Sequence, residues 1–312
     1  MEFDIEEYLD SLPLDTEVIN VSYKNLTYLP DLSRFIHLKK LDCFNNSLTE
    51  LPTLNDNLEI LNCCANKLTE LPSLNLYLKT LICSHNNLTE LPTLNDKLEI
   101  LNCSYNKLTV LPSLYDNLKI LYCNNNKLTE LPSLNKNLQT LICSNNKLTV
   151  LPSLNDNLIY LNCMYNELTE LPNLNNIEQL ICSYNNLTYL PAFNEKLKIL
   201  YCNNNKLIYL PPFNKNIKLL DCNSNELHYL PYFDLGITIR CYNNIFDNLT
   251  EYSIINAFRY AYYCLRFKLK FKKWLWEKVR EPKIMKQFHP DHLTTLKETD
   301  DLEEFLEDWI KK

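Results

Sequence analysis

The chain has 312 residues, a formal net charge of −7 and a pI near 5.4, which excludes a polyanion binder working by bulk attraction. Its single glycine, Gly236, excludes glycine-rich phosphate loops and the strained elbow that carries a hydrolase nucleophile. No window approaches the length of apolar sequence that a helix needs to span a bilayer.

The chain opens on the acidic run Met1-Glu2-Phe3-Asp4-Ile5-Glu6-Glu7, which lacks the basic start and apolar core of a secretory signal. An intracellular, cytoplasmic protein is therefore expected. Asp4 to Leu12 reads as a short helix ended by Pro13. Ile5, Tyr8, Leu9 and Leu12 share one of its faces, so residues 1–16 are expected to form an N-terminal helical cap over the open edge of the first coil.

From residue 51 the pair Leu-Pro recurs at a fixed spacing, at Leu51-Pro52, Leu71-Pro72, Leu91-Pro92, Leu111-Pro112, Leu131-Pro132, Leu151-Pro152 and Leu171-Pro172. A constant period of this length is far longer than any helix or strand period and belongs to a stacked unit. Within it the skeleton L-x-x-L-x-C-x-x-N-x-L-T-x-L-P returns, as in Leu58, Leu61, Cys63, Asn66, Leu68 and Leu71. Upstream lies a degenerate first coil, with Ile19 and Val21 in the places of Leu and Cys. Downstream, one residue is lost near Asn173–Ile177, after which Leu190-Pro191, Leu210-Pro211 and Leu230-Pro231 continue the series. Residues 17–246 thus read as about twelve coils, roughly 4.8 Å apart, in one parallel sheet.

Each coil has a physical reading. Leu61 and Cys63 alternate with Ile60, Asn62 and Cys64, the period of a strand with one buried face. Asn66 stands where the chain must turn, and its amide can serve backbone groups of its own and the neighbouring coil, giving an asparagine ladder. Leu68 and Leu71 point inward, and Pro72 imposes an extended return. Eleven of the thirteen cysteines, Cys43 through Cys241, recur once per coil. A straight row of parallel thiols does not converge on a metal, so they read as small buried apolar groups, and no metal or other cofactor is expected.

This pattern resembles that of leucine-rich repeat proteins. In length and L-P-x-L spacing the repeats are similar to those of bacterial secreted effectors. In Asn, Lys, Ile and Tyr bias, and in the tail Phe288-His289-Pro290-Asp291-His292-Leu293, the chain resembles repeat proteins encoded by giant DNA viruses of the mimivirus type, which implies a viral protein working in the host cytoplasm. The fold class is then an α/β solenoid, a leucine-rich repeat arc with a parallel concave sheet, an extended, polyproline-like convex side, and helical caps at both ends. The caps would be residues 1–16 and 247–312.

Residues 247–312 differ in kind. Asp247 to Trp276 reads as helix with a broad apolar face, Pro282 breaks it, and a last helix follows Thr299. The stretch Arg266 to Trp274 interleaves cations with aromatics. It reads as a capping helix with solvated lysines; the alternative is an adaptor region, 266–280, that recruits a membrane or nucleic acid. His289-Pro290-Asp291 is similar to the tripeptide with which J-domain co-chaperones engage Hsp70, but Pro282 leaves too short a basic helix before it. Cys264 lacks the Asp two residues on that the ubiquitin-ligase domains of similar effectors carry.

No set of acid, base and nucleophile converges anywhere in the sequence. The expected function is a non-enzymatic scaffold that binds a protein partner, with no small-molecule substrate. Its expected contacts lie on the concave face, through Ile82, Tyr122, Ile142, Tyr160, Ile181 and Tyr201, where neutral apolar and aromatic residues occupy the middle of the columns and charges their ends.

Overall fold

The computed structural model describes residues 3–231 and 237–245. The C-terminal region 247–312, with its expected helices, the 266–280 stretch, Cys264 and the His289-Pro290-Asp291 tripeptide, lies outside them, as does Gly236.

One helix, α1 (Ile5–Asp10), opens the fold. It is shorter than the expected Asp4–Leu12 because Asp4 is its cap: the carboxylate accepts from the Glu6 and Glu7 backbone N–H groups at 3.0 and 3.1 Å. At the other end the Leu12 N–H bonds back only to Leu9, the tightened last turn common at helix ends. Ile5 and Leu9 are buried. Arg34 pairs with Asp10 at 2.7 Å, and Lys24 lies over the Phe3 ring, so this segment is tied to the first coils.

Among the described residues twelve three-residue strands make the sheet: β1 (Val18–Asn20), β2 (Lys40–Asp42), β3 (Ile60–Asn62), β4 (Thr80–Ile82), β5 (Ile100–Asn102), β6 (Ile120–Tyr122), β7 (Thr140–Ile142), β8 (Tyr160–Asn162), β9 (Gln179–Ile181), β10 (Ile199–Tyr201), β11 (Leu219–Asp221) and β12 (Thr238–Arg240). Their spatial order is their chain order, and every pairing is parallel with repeat positions opposite one another, as in Ile60↔Thr80 and Leu61↔Leu81. The missing residue near Asn175 leaves this intact, since Tyr160 pairs with Gln179. A turn at Asn175, with φ 42°, takes up the difference.

The core is a stack of identical layers. Leu61, Cys63, Leu68 and Leu78 have no exposed surface, and the same columns are closed in the following coils. Each buried leucine contributes roughly 2 kcal/mol by removal of its surface from water. Ile19 and Val21 are as buried as the Leu and Cys they replace. After each Leu-Pro the chain returns without helix; among the described residues α1 is the only α-helix.

Backbone pairing runs past each strand. Cys63 N–H donates to Ile82 O at 2.8 Å and Ala65 N–H to Ser84 O at 2.9 Å. There the chain turns sharply, and Ala65, His85, Tyr105, Asn125, Asn145, Tyr165 and Tyr184 all have φ between 52 and 56°. Non-glycine residues resist that conformation by roughly 1–2 kcal/mol each. The stacked hydrogen bonds on either side hold them in it.

The asparagine ladder is complete. Asn66 Nδ2 donates to Cys43 O and Cys63 O at 3.0 and 3.1 Å, while its Oδ1 accepts from Leu48 N–H at 3.0 Å. The same bonds recur from Asn46 to Asn244. A second ladder, not foreseen from the sequence, runs along the opposite edge of the coils. Asn75 donates to Asn55 O and Leu58 O at 2.7 and 2.9 Å and accepts from Tyr77 N–H. Asn95, Asn155, Asn194 and Asn214 continue it.

Candidate binding face

The sheet has one side turned to solvent, and its strands carry it in three columns. The third strand position supplies Ile82, Asn102, Tyr122, Ile142, Asn162, Ile181 and Tyr201, each opposite the next. Ile82, Tyr122, Ile142, Ile181 and Tyr201 are all half-buried. Tyr122 and Ile142 are direct neighbours, as are Ile181 and Tyr201, whereas Asn102 separates Ile82 from Tyr122. Tyr160 belongs to the adjacent column, between Thr140 and Gln179. Burial pushes its phenol above its ordinary pKa, Tyr122 adds to the rise, and a hydrogen bond with Asn162 opposes it. Five of the six expected contact residues therefore lie on the adjacent strands β6 to β10, and Ile82 stands one strand beyond the gap.

The preceding column is not among the sequence-based expectations. Glu17, Lys39, Glu59, Lys79, Glu99 and Lys119 alternate in sign, and after Gln139 and Ile159 the series resumes with Glu178 and Lys198. Lys39–Glu17, Lys79–Glu59 and Lys119–Glu99 pair at 2.7 Å and Lys198–Glu178 at 2.5 Å. The signal was present as a charge returning with the repeat period just before each strand. A shallow depression lined by Glu17, Lys39, Glu59 and Lys79 lies within this column. Its charges pair with one another and form no acid–base set.

On the far side of the strands the left-handed turn positions carry aromatic rings. His85 and Tyr105 stack at 4.1 Å between centroids and 11° between planes; Tyr165 and Tyr184 stack at 4.2 Å and 14°. A hydrogen bond between the Tyr165 and Tyr184 phenols, with some loss of solvation, raises the Tyr165 pKa.

The inner face carries no chemistry of its own. The nine buried cysteines from Cys43 to Cys202 are free, and burial pushes Cys43, Cys103 and Cys163 up to about 12. Thiols held protonated are poor nucleophiles and poor metal ligands. Cys64, half-exposed on the solvent side, receives a bond from Ser84 Oγ at 3.1 Å. Among the described residues no three His, Cys, Asp or Glu side chains are placed to hold a metal ion, and no helix is long and apolar enough to cross a membrane.

Comparison by sequence finds no matching protein-family model and no matching curated protein. Comparison of structures finds similarity to YopM from Yersinia enterocolitica WA-314, with 35% identity over 74% of this chain and 52% of that one and a TM-score of 0.72. The chain thus spans about half the length of that protein. The leucine-rich repeat domain of APL1B shares 20% identity, with 78% of each chain covered and a TM-score of 0.62. A leucine-rich repeat protein from Bacteroides eggerthii DSM 20697 shares 19%, over 68% of this chain and 45% of that one, at 0.51. These last two likenesses are of fold alone.

Proposed function

We propose that this leucine-rich repeat solenoid is a scaffold that binds a protein partner on the solvent side of its sheet. The observation that carries the reading is the half-buried patch on adjacent strands β6 to β10, with Tyr122 and Ile142 on one side of Asn162, Ile181 and Tyr201 on the other, Tyr160 in the next column and Ile82 at its margin. Neutral apolar and aromatic surface bounded by paired charges has the anatomy of a protein interface, with an apolar centre and a polar rim. The rings offer large contact area at little cost in side-chain freedom. Burial holds the nine thiols from Cys43 to Cys202 protonated and the Lys–Glu pairs on this face engage one another, which supports binding over catalysis. Free cysteines in successive coils also suit a reducing, cytoplasmic compartment.

The test is affinity capture with the full chain and with a Tyr122→Ala, Tyr160→Ala, Tyr201→Ala variant, after circular dichroism has shown that the variant keeps its sheet. Partners held by the wild type should be lost from the variant. Equal recovery by both chains removes the sheet face as the binding surface.

A further inference from the structure

The middle of the solenoid differs from its flanks in charge. Residues 100–159 carry five lysines against the three carboxylates Asp116, Glu130 and Asp156. On one side, residues 80–99 carry Glu90, Asp96 and Glu99 against Lys97; on the other, residues 160–178 carry Glu167, Glu170 and Glu178 with no cation. A band about three coils wide, roughly 14 Å, is thus cationic inside an acidic molecule.

Within that band Lys107, Lys127 and Lys147 stand on successive coils, each directly after its ladder asparagine. All three are exposed, and among the described residues none is in an ion pair. In the column where Glu50, Glu70, Glu90, Glu130 and Glu170 precede Leu-Pro, two of these three coils have the exposed Val110 and Val150 instead. The aromatic stacks bound the same band. Each ring lies nearly parallel to its partner on the next coil, so Tyr105 and Tyr165 turn their outer faces toward the two coils between them, which carry Asn125 and Asn145 at the turn. Continuous backbone bonds from Tyr105 through Asn125 and Asn145 to Met164 O keep the coils in step there. Allowing for ring thickness, the slot is roughly 10 Å wide, the width of one extended chain with its side chains. Tyr122 and Ile142 lie beside it on the sheet.

We infer that this slot takes an extended acidic peptide segment of the partner, with an aromatic side chain stacked on Tyr105 or Tyr165 and carboxylates on Lys107, Lys127 and Lys147. This rests on the reading of the sheet side as a protein-binding surface and names the chemistry of the segment it holds. A single-stranded nucleic acid would use the same rings and cations. A phosphate backbone, however, would run within one or two coils into Glu90 or Glu167, whereas a short acidic segment ends inside the band.

The experiment is selection from a random short-peptide display library on the immobilised full chain, followed by fluorescence anisotropy of the enriched peptides. Enriched sequences should combine Asp or Glu with Tyr, Phe or Trp, and should weaken as salt rises, since exposed charge pairs are screened. Lys107→Glu, Lys127→Glu, Lys147→Glu together should weaken them about tenfold or more, and Tyr105→Ala with Tyr165→Ala by a similar factor. Binders without acidic residues, binders indifferent to the lysine reversals, no enriched binder, or tighter binding of oligothymidylate would each overturn the inference. Peptides lost on Tyr122→Ala, Tyr160→Ala, Tyr201→Ala but unaffected by the lysine reversals would do so while leaving the scaffold reading intact.

Discussion

A single asparagine in the ladder does more than its size suggests, because its amide joins its own coil to the one before it. Asn126 donates to Cys103 O and Cys123 O and accepts from Leu108 N–H, at 3.0, 3.1 and 3.0 Å. Cys103 O and Cys123 O keep the amides of Asn106 and Asn146, so Asn126→Ala strips the partner from the Leu108 N–H alone, and the expected loss, read from the urea midpoint, is about 1–3 kcal/mol. The second ladder makes the opposite prediction. Tyr115 occupies the place of an asparagine, and next to it Asn135, which bonds to Tyr115 O and Leu118 O, keeps its Oδ1 buried without a partner. Tyr115→Asn should restore the donor to the coil before it and raise stability by about 1 kcal/mol in the same measurement.

The cysteine column acts at the scale of the element. Nine of its thiols are raised by burial above the ordinary value of 9.0. A group whose folded pKa is raised contributes its stability below the unfolded pKa and loses it as pH climbs toward the folded one. Each thiol therefore costs about 1.4 kcal/mol per pH unit above its unfolded pKa. Across nine of them, one unit removes about 12 kcal/mol, comparable with the whole stability of an ordinary domain. The urea midpoint should hold steady from neutrality to about pH 8 and collapse by about pH 10. Thiolate absorbance near 240 nm should rise with unfolding and not before it; thiolate appearing in the folded chain would contradict the burial argument.

At the scale of the molecule, the period alone made the architecture legible. Leu-Pro spacing gave the coil, the alternation at Leu61 and Cys63 gave the strand, and Asn66 gave the ladder. Relations between coils whose residue types vary stayed hidden. The sign alternation in Glu59, Lys79, Glu99 and Lys119 becomes a feature only when those positions are stacked. The second ladder is interrupted by Tyr115, and locally its asparagines are indistinguishable from ordinary loop composition. The apolar column of Ile142 and Tyr122 was legible because strand register follows from the repeat, but the stacked rings of Tyr165 and Tyr184 required the left-handed turn that no local preference predicts. Stacking also makes whole coils interchangeable, since each contacts only its neighbours. Deleting residues 120–139 should leave a folded, shorter sheet with unchanged far-ultraviolet dichroism per residue, while deleting residues 125–134 should unfold the region.

Near-identical turns carry a hazard that the sign column answers. A strand that skipped its neighbour during folding and paired with the next one along would find a matching register, the same leucines and the same asparagine, so shape alone would not reject the error. Over the first six strands charge does: skipping there would set Glu59 against Glu99 and Lys79 against Lys119, like beside like. Exposed pairs that add little to the finished molecule thus act as a parity check on how it is assembled.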